Sequence, residues 1–137
     1  ELQAAGVSFV SLDELLAASD FVSLHVPLTD ATRGLIDAEA IAKMKPSAVL
    51  LNTARGPVVD SEALAKALNE GRLAGAGIDV FEGEPPIAQE HPLCHAKNTV
   101  LTPHVAFASA EALAARADIG FANIEKWLAG APQNVIK

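Results

Sequence analysis

The stretch Ala48-Val-Leu-Leu-Asn-Thr-Ala-Arg-Gly-Pro-Val-Val-Asp60 begins with an apolar run and continues into a polar loop. Residues 48–51 do not alternate between apolar and polar side chains, and Pro46 and Asn52 bound them, as is typical of a strand covered on both faces. Such strands build parallel α/β sheets, which bind ligands in the crevice beyond the carboxyl ends of their strands. Arg55 lies at that position, so the stretch predicts a cation in a ligand crevice. The alternative interpretation of Arg55 is a surface arginine paired with a carboxylate.

Strands and helices alternate on both sides of this stretch. Strands are predicted at residues 7–10, 21–24, 48–51, 73–80 and 98–101, and helices at residues 1–5, 12–18, 38–44, 61–70 and 109–128. The boundaries are indicated by capping residues, namely Ser11, Asp37 and Asp60 at helix starts and Gly6 and Gly71 at helix ends. Strands separated by helices of about ten residues are typical of βα repeats with right-handed crossovers. The sequence therefore predicts an α/β fold with a parallel sheet.

Length and composition limit the classes of protein. The chain has 137 residues, of which 50% are hydrophobic, enough for one compact domain with its own core. Its formal net charge is −7 with the acidic residues dispersed, so no nucleic-acid partner is predicted. Cys94 is the single cysteine; it excludes an internal disulfide, fits a reducing compartment and is interpreted as an inert thiol. No apolar run approaches the ~20 residues of a membrane span, and no signal peptide is visible. A soluble cytoplasmic protein without a membrane partner is expected.

Polar residues follow four of the predicted strands directly. The four segments are His25-Val-Pro27, Asn52-Thr-Ala-Arg55, Phe81-Glu-Gly-Glu84 and Thr102-Pro-His104. Because the carboxyl ends of parallel strands share one edge of a sheet, Arg55, Glu84 and His104 can converge although they are far apart in the sequence. This shared position favours the interpretation that the three residues form one site over the interpretation that they lie in unrelated loops.

Arg55, Glu84 and His104 together have the chemistry for reduction of a 2-keto acid. A guanidinium holds a planar carboxylate through two parallel hydrogen bonds. An imidazole gives a proton to a carbonyl oxygen and recovers it in reverse, and a neighbouring carboxylate favours its charged form and fixes its orientation. Glu82 competes with Glu84 for this role, because spacing alone does not separate them. Equally, His104 can be an ordinary loop histidine and Asp79 a buried turn or helix-cap carboxylate.

Three other patterns do not predict a site. Gly75-Ala-Gly77 lacks the third glycine and the following helix of a dinucleotide-binding fingerprint, since Val80 occupies the place of that glycine. His91 and His95 are interpreted as solvated or locally bonded, and their spacing to Cys94 does not indicate a metal site. Neither metal catalysis nor a serine or cysteine nucleophile has a supporting set of residues, so no metal ligand is predicted.

Four motifs carry a resemblance to a known family. They are Ser19-Asp-Phe-Val-Ser-Leu-His-Val-Pro-Leu-Thr29, Met44-Lys-Pro-Ser-Ala-Val-Leu-Leu-Asn-Thr-Ala-Arg-Gly56, Gly77-Ile-Asp-Val-Phe-Glu-Gly-Glu-Pro85 and Leu101-Thr-Pro-His104. In this order and spacing, which extends over nearly the whole chain, they resemble the D-isomer-specific 2-hydroxyacid dehydrogenases. The resemblance implies NAD as the cofactor, with NADP not excluded, and a small 2-keto or 2-hydroxy acid as the substrate.

The resemblance also implies roles for individual residues. Arg55 would hold the substrate carboxylate and His104 would be the acid/base. Glu84 would orient that histidine, which selects Glu84 over Glu82. The residues implied to contact the dinucleotide are His25, Val26, Pro27, Thr53, Ala54, Arg55, Asp79 and His104, with Val26 and Pro27 near the adenosine and Thr53, Ala54 and Asp79 at the nicotinamide end.

The family pattern contains parts that these 137 residues lack. Its members are more than twice as long and begin with a substrate domain, then a strand, Gly-x-Gly-x-x-Gly and a helix. We therefore expect residues 1–137 to be a partial dinucleotide-binding domain without its first β-α-β unit, an incomplete doubly wound, Rossmann-like parallel sheet with flanking helices. The expected function is that of a fragment, inactive alone, of an NAD(P)-dependent oxidoreductase that interconverts 2-keto acids and D-2-hydroxy acids by hydride transfer.

A competing interpretation is a non-enzymatic protein, either a dinucleotide-sensing transcriptional corepressor of similar sequence or a fragment that only folds and assembles. Retention of Arg55, Glu84 and His104 favours an enzyme. Loss of the first strands would leave a sheet edge unpaired and apolar faces uncovered, which predicts a homo-oligomer, and a dimer in particular. The identity of the acid and the choice between NAD and NADP are not encoded in these residues.

Overall fold

The computed structural model describes residues 2–136. Its strands are β1 (Phe21–Leu24), β2 (Val49–Asn52), β3 (Gly75–Ile78) and β4 (Thr99–Leu101), its α-helices are α1 (Leu12–Ala18), α2 (Ala38–Lys43), α3 (Ser61–Asn69) and α4 (Ala110–Leu128), and short 3₁₀ helices lie at Gln3–Ala5, Gly56–Val58 and Pro92–His95. The strands form one parallel sheet in the order β1-β2-β3-β4. The chain divides after His104 into two compact units, of which the second contains α4. The predicted α/β fold with a parallel sheet is confirmed.

The predicted capping residues begin three of the helices. Ser11 forms a capping box, in which its N–H and hydroxyl both donate to the Glu14 carboxylate at 2.9 and 2.8 Å. These two hydrogen bonds, of which the backbone one has the larger effect, lower the pKa of the Glu14 carboxyl below its ordinary value. Asp37 and Asp60 each accept the N–H three residues further on, at 2.9 Å, and so begin α2 and α3.

One face of the sheet is buried and the other is partly open. Residues in register lie side by side on the same face, and Val22, Leu50 and Ala76 form one such row at 3%, 0% and 4% exposure. Buried residues of α1, α2 and α3 belong to the same core cluster as this row. Side chains on the opposite face are half-buried in β2 and 70% exposed at Phe21 and Val100. The prediction that residues 48–51 are covered on both faces therefore holds for one face only.

Three other predictions need correction. Residues 7–10 are not a strand, because their backbone pairs with no neighbouring strand in the described structure, and Phe9 and Val10 are 69% and 54% exposed. Helix 1–5 is a single 3₁₀ turn at Gln3–Ala5, and Glu1 lies outside the described residues. The strand predicted at residues 73–80 is shorter than predicted and covers only Gly75–Ile78. Its neighbours β2 and β4 are four and three residues long, so they offer hydrogen-bond partners only over that length.

The second unit contains the long helix α4. The Ser109 hydroxyl oxygen accepts the N–H of Ala112 at 3.1 Å and begins this helix, which confirms the helix predicted at residues 109–128. None of its residues is buried, and Phe121 and Trp127 are 69% and 67% exposed. Within residues 2–136, no helix combines the length and the apolar character needed to cross a membrane.

Candidate active site

The carboxyl ends of β2, β3 and β4 lie side by side. Asn52 is in register with Ile78, and Ile78 with Leu101, so the next residues of each strand leave the sheet at one edge. Backbone hydrogen bonds continue past the strands: Asp79 N–H donates to the Asn52 carbonyl at 2.9 Å, and His104 N–H donates to the Asp79 carbonyl at 2.8 Å. The three loops that carry the predicted site residues are thus bound to one another through their backbones.

His104 and Glu84 form the central side-chain pair of this edge. His104 Nδ1 lies 2.7 Å from Glu84 Oε1, with the histidine side chain 43% exposed and the glutamate side chain 19% exposed. The second carboxylate oxygen, Oε2, accepts the N–H of Phe81 at 3.1 Å, which fixes the carboxylate. His104 has a φ of 55°, a backbone conformation that is uncommon for residues other than glycine. Glu84 thus engages one of the two ring nitrogens of His104, Nδ1.

Glu82, the competitor of Glu84, has other partners. Its carboxylate accepts the Ser61 hydroxyl at 2.8 and 3.0 Å and lies 3.1 Å from His91 Nε2. Leu93 N–H donates to His91 Nδ1 at 3.3 Å, so Nε2 carries the proton donated to Glu82. His95 is bonded to the Gln89 carbonyl at 2.9 Å. The interpretation of His91 and His95 as locally bonded histidines is confirmed.

Arg55 lies in a loop that the Asn52 side chain holds. Asn52 is 1% exposed; its Oδ1 accepts the Ala54 N–H and its Nδ2 donates to the Arg55 carbonyl, both at 3.0 Å. The Arg55 guanidinium is exposed and donates through Nη1 to the Ala54 carbonyl at 2.6 Å. The ion pairs found among the described residues do not include Arg55. The alternative of a surface arginine paired with a carboxylate is therefore not what the structure contains.

Asp79 is a buried carboxylate at the same edge. It is 3% exposed, and the Thr102 hydroxyl donates to its Oδ1 at 2.5 Å. Sequence reasoning missed both Thr102 and the side-chain role of Asn52. A usable signal was present for Asn52, because an asparagine that directly follows a buried strand often bonds the backbone two or three residues further on. Nothing in the sequence indicated that the hydroxyl of Thr102 would reach Asp79.

The residues predicted near the adenosine follow β1, at the same end of the sheet. Leu24 is in register with Asn52, so His25 leaves the sheet beside the Arg55 loop. His25 Nε2 lies 2.8 Å from the Ser23 hydroxyl, while Val26 is half-buried and Pro27 exposed. Thr53 is exposed and Ala54 is 8% exposed. All the predicted cofactor residues thus belong to the four strand ends of one edge.

Gly56 lets the Arg55 loop contact the Glu84 loop. A Cβ atom on Gly56 would lie 2.2 Å from the Phe81 carbonyl carbon and 2.6 Å from the Glu82 nitrogen, so the two backbones touch where Gly56 has no side chain. We expect Gly56→Ala to destabilise the fold by about 1–3 kcal/mol or more, because backbone has to move. Urea unfolding measures this change.

Gly120→Ala is the matched control for that measurement. Gly120 lies inside α4, and an added Cβ would meet no atom within 4 Å. Glycine costs roughly 0.5–1 kcal/mol relative to alanine in a helix, so this variant should be neutral or stabilising. Equal midpoints for Gly56→Ala and the unmodified chain would show that the two loops do not pack as described.

Known proteins match this chain in sequence and in fold. Residues 1–106 match the family model described as D-isomer specific 2-hydroxyacid dehydrogenase, NAD binding domain. The chain belongs to this family. The glyoxylate reductase of Thermofilum pendens is 52% identical over 124 residues, which are 90% of this chain and 36% of that protein.

Solved structures of two oxidoreductases have the same fold. The D-lactate dehydrogenase of Aquifex aeolicus, complexed with NAD and lactic acid, matches with a TM-score of 0.82 and 35% identity over 95% of this chain and 43% of that one. An acyclic imino acid reductase, in complex with NADPH and D-Arg, matches with a TM-score of 0.89 and 37% identity over 96% of this chain and 42% of that one. The chain therefore spans less than half the length of the 2-hydroxyacid dehydrogenases that it matches.

The residues of this edge fit one end of a dinucleotide. The nicotinamide end is predicted to lie where the buried Asp79 carboxylate, bonded by Thr102, and the loop backbone of Thr53 and Ala54 meet at one edge. A pyrophosphate is held in such folds by N–H groups of a glycine-rich turn. The 137 residues contain no Gly-x-Gly-x-x-Gly, so the fit concerns the nicotinamide end alone.

Proposed function

We propose that the whole protein to which these residues belong interconverts 2-keto acids and D-2-hydroxy acids with NADH or NADPH. The observation that carries this proposal is the His104–Glu84 pair at 2.7 Å, on the sheet edge that also presents the exposed guanidinium of Arg55. An acid/base with a fixed ring and a cation suited to a planar carboxylate are the two parts that a keto acid requires. Residues 1–137 are proposed to be part of the dinucleotide-binding domain, without its first β-α-β unit, in a cytoplasmic enzyme.

The proposed mechanism assigns one task to each residue. Arg55 binds the substrate carboxylate through parallel hydrogen bonds, which sets the position of the neighbouring carbonyl. His104 gives a proton from Nε2 to the carbonyl oxygen during reduction and takes it back during oxidation. Glu84 holds Nδ1 and orients the ring, as a carboxylate does for the histidine of a catalytic triad. A bound nicotinamide supplies the hydride that completes the reduction.

The test is an assay of the whole protein with NADH and NADPH against glyoxylate, hydroxypyruvate and pyruvate. Oxidation of either cofactor that depends on one of these acids is the expected result. If no keto acid supports oxidation while the dinucleotide still binds, the enzyme proposal falls and a dinucleotide-sensing corepressor becomes the better interpretation. The corepressor alternative would then be tested by binding to a transcription factor with and without NADH.

Arg55→Lys in the whole protein should mainly weaken keto-acid binding. Lysine keeps the charge but cannot form two parallel hydrogen bonds to a carboxylate, so we expect KM for the acid to rise by about tenfold or more, in line with the roughly 1.5–3 kcal/mol of a charge-assisted hydrogen bond. Steady-state kinetics with varied keto acid at saturating cofactor measures this. An unchanged KM and kcat would remove Arg55 from the site.

We propose further that the chain assembles as a homo-oligomer, and a dimer in particular. The outer edge of β1 is a free sheet edge in the described structure, and Phe21 on the open sheet face is 70% exposed. Exposed strand edges and contiguous apolar surfaces are the places where further chains pair. Light scattering at micromolar concentration should therefore give twice the mass of one chain.

Two matched variants locate the contact. Phe21→Lys places a charge on the open sheet face, and Phe121→Lys does the same on α4, where the phenylalanine is 69% exposed. We expect Phe21→Lys to yield monomers and Phe121→Lys to keep the dimer. The reverse pattern would assign the contact to α4, and a monodisperse monomer of the unmodified chain would contradict self-association altogether.

A further inference from the structure

Asn52 is a buried polar side chain on the core face of the sheet. It is 1% exposed, and its neighbours in register are the apolar residues Leu24 and Ile78, which are 6% and 2% exposed. An amide in such surroundings costs free energy unless hydrogen bonds satisfy it, and an apolar residue would fill the same space without that cost. The presence of an asparagine therefore needs a reason other than packing.

Both polar atoms of this side chain are used inside the Arg55 loop. Oδ1 accepts the N–H of Ala54 and Nδ2 donates to the carbonyl of Arg55, each at 3.0 Å. The guanidinium of Arg55 in turn donates to the Ala54 carbonyl at 2.6 Å. The amide of Asn52 thus holds the peptide groups before Ala54 and after Arg55, and the Arg55 head group is bound to the peptide group between them.

The backbone of Asn52 connects this loop to the rest of the edge. Its carbonyl accepts the N–H of Asp79 at 2.9 Å, and the Asp79 carbonyl accepts the N–H of His104 at 2.8 Å. Movement at Asn52 would therefore change the position of Arg55 relative to His104. Only an asparagine of this length supplies one donor and one acceptor at these places, since aspartate lacks the donor and alanine lacks both.

From these contacts we infer that Asn52 is a positioning residue, which sets Arg55 for the substrate carboxylate. The inference rests on the proposed function, because it assigns Asn52 to the arginine that binds the keto acid. Misplacement of a binding group by about 1 Å can cost on the order of a hundredfold in rate. The effect of Asn52 should therefore appear in keto-acid binding and should require an intact Arg55.

The first test is a double-mutant cycle in the whole protein with Asn52→Ala and Arg55→Lys. Asn52→Ala alone should raise KM for the keto acid by about tenfold or more, with a smaller change in kcat. In the Arg55→Lys background the same substitution should add little, because the arginine it positions is gone. Additive effects of the two substitutions, or a fall in kcat at unchanged KM, would overturn the inference.

The second test does not depend on activity. Amide hydrogen exchange by NMR on the 137-residue chain should show the Ala54 N–H protected, and Asn52→Ala should remove that protection. Asn52→Asp keeps an acceptor and should retain it. Equal exchange of the Ala54 amide in all three proteins would show that the side chain does not hold the loop. An unchanged KM for the keto acid in Arg55→Lys would count against the proposed function. The exchange result would be unaffected, because it reports only whether the Asn52 side chain holds the loop.

Ser61→Ala is the control for lost stability. Ser61 is 8% exposed and donates a hydrogen bond to Glu82, so its removal also deletes a partly buried hydrogen bond, in which neither Asn52 nor Arg55 takes part. Urea unfolding of all variants compares their stability, and Ser61→Ala should leave the KM for the keto acid unchanged. If Asn52→Ala does not fold, Asn52→Ser replaces it in the cycle. If Ser61→Ala raises the KM for the keto acid as much as Asn52→Ala does, the effect of Asn52→Ala is explained by a general loss of stability.

Discussion

The 137-residue chain by itself is expected neither to reduce keto acids nor to bind NADH in the low micromolar range, although it carries Arg55, Glu84 and His104. Dinucleotide affinity in folds of this type depends on backbone N–H groups at a glycine-rich helix start, which face the pyrophosphate charge. These residues contain no such turn. Loss of several charge-assisted hydrogen bonds, at roughly 1.5–3 kcal/mol each, weakens binding by orders of magnitude.

The substrate should bind the isolated chain just as weakly. Arg55 is exposed, so its attraction for a carboxylate acts through water and is screened by salt. Without a bound nicotinamide there is no hydride donor, and protonation by His104 alone does not reduce a carbonyl. The isolated chain should therefore show neither reduction of keto acids nor tight binding of the keto acid or of NADH.

A fluorescence titration measures this expectation directly. NADH emission is followed as the chain is added, together with emission from Trp127, which lies in α4 and is 67% exposed. The expected result is no saturation in the micromolar range. Saturable binding there would show either that another part of the chain replaces the glycine-rich turn or that assembly of several chains builds a complete site.

His104→Ala in the whole protein should lower kcat by about 10²–10⁴-fold, the range that general acid–base catalysis contributes. The ring is held by Glu84 at 2.7 Å, and alanine removes the group that would exchange the proton. KM for the keto acid should change less, because the carboxylate is proposed to bind Arg55. Steady-state kinetics at saturating NADH separates the two parameters.

His95→Ala is the matched control for His104→Ala. His95 is an exposed histidine whose ring is bonded to the Gln89 carbonyl, and neither residue belongs to the proposed site. Its removal should leave kcat nearly unchanged. If the two alanine variants lose turnover equally, or if His104→Ala retains full activity, His104 is not the acid/base.

The sequence by itself determined four of the strands, the four α-helices and the edge on which the predicted site residues lie. The capping residues Ser11, Asp37 and Asp60 each bond the N–H three residues further on, and such local contacts depend on few residues of the chain. The apolar run before Asn52 likewise predicts a strand from neighbouring residues alone. Because all strands are parallel, the position of Arg55 and His104 after strand ends was enough to place them at one edge.

Residue spacing alone did not decide which side chains meet at that edge, whereas the tertiary structure does. Glu82 and Glu84 are two residues apart, yet one bonds Ser61 and His91 and the other bonds His104, because side-chain direction in a loop follows from packing rather than spacing. The hydrogen bonds from the Asn52 side chain to the Arg55 loop are likewise a feature of the tertiary structure.

The failed strand at residues 7–10 and the open sheet face have the same physical origin. Its residues have suitable apolar character, but a strand exists only where a neighbouring strand accepts its backbone hydrogen bonds, and none does so within the described structure. Coverage of a sheet face likewise depends on where helices pack, and α1, α2 and α3 share one core on one face. Local pattern specifies what a segment can form, whereas the partners present in space decide what it does form.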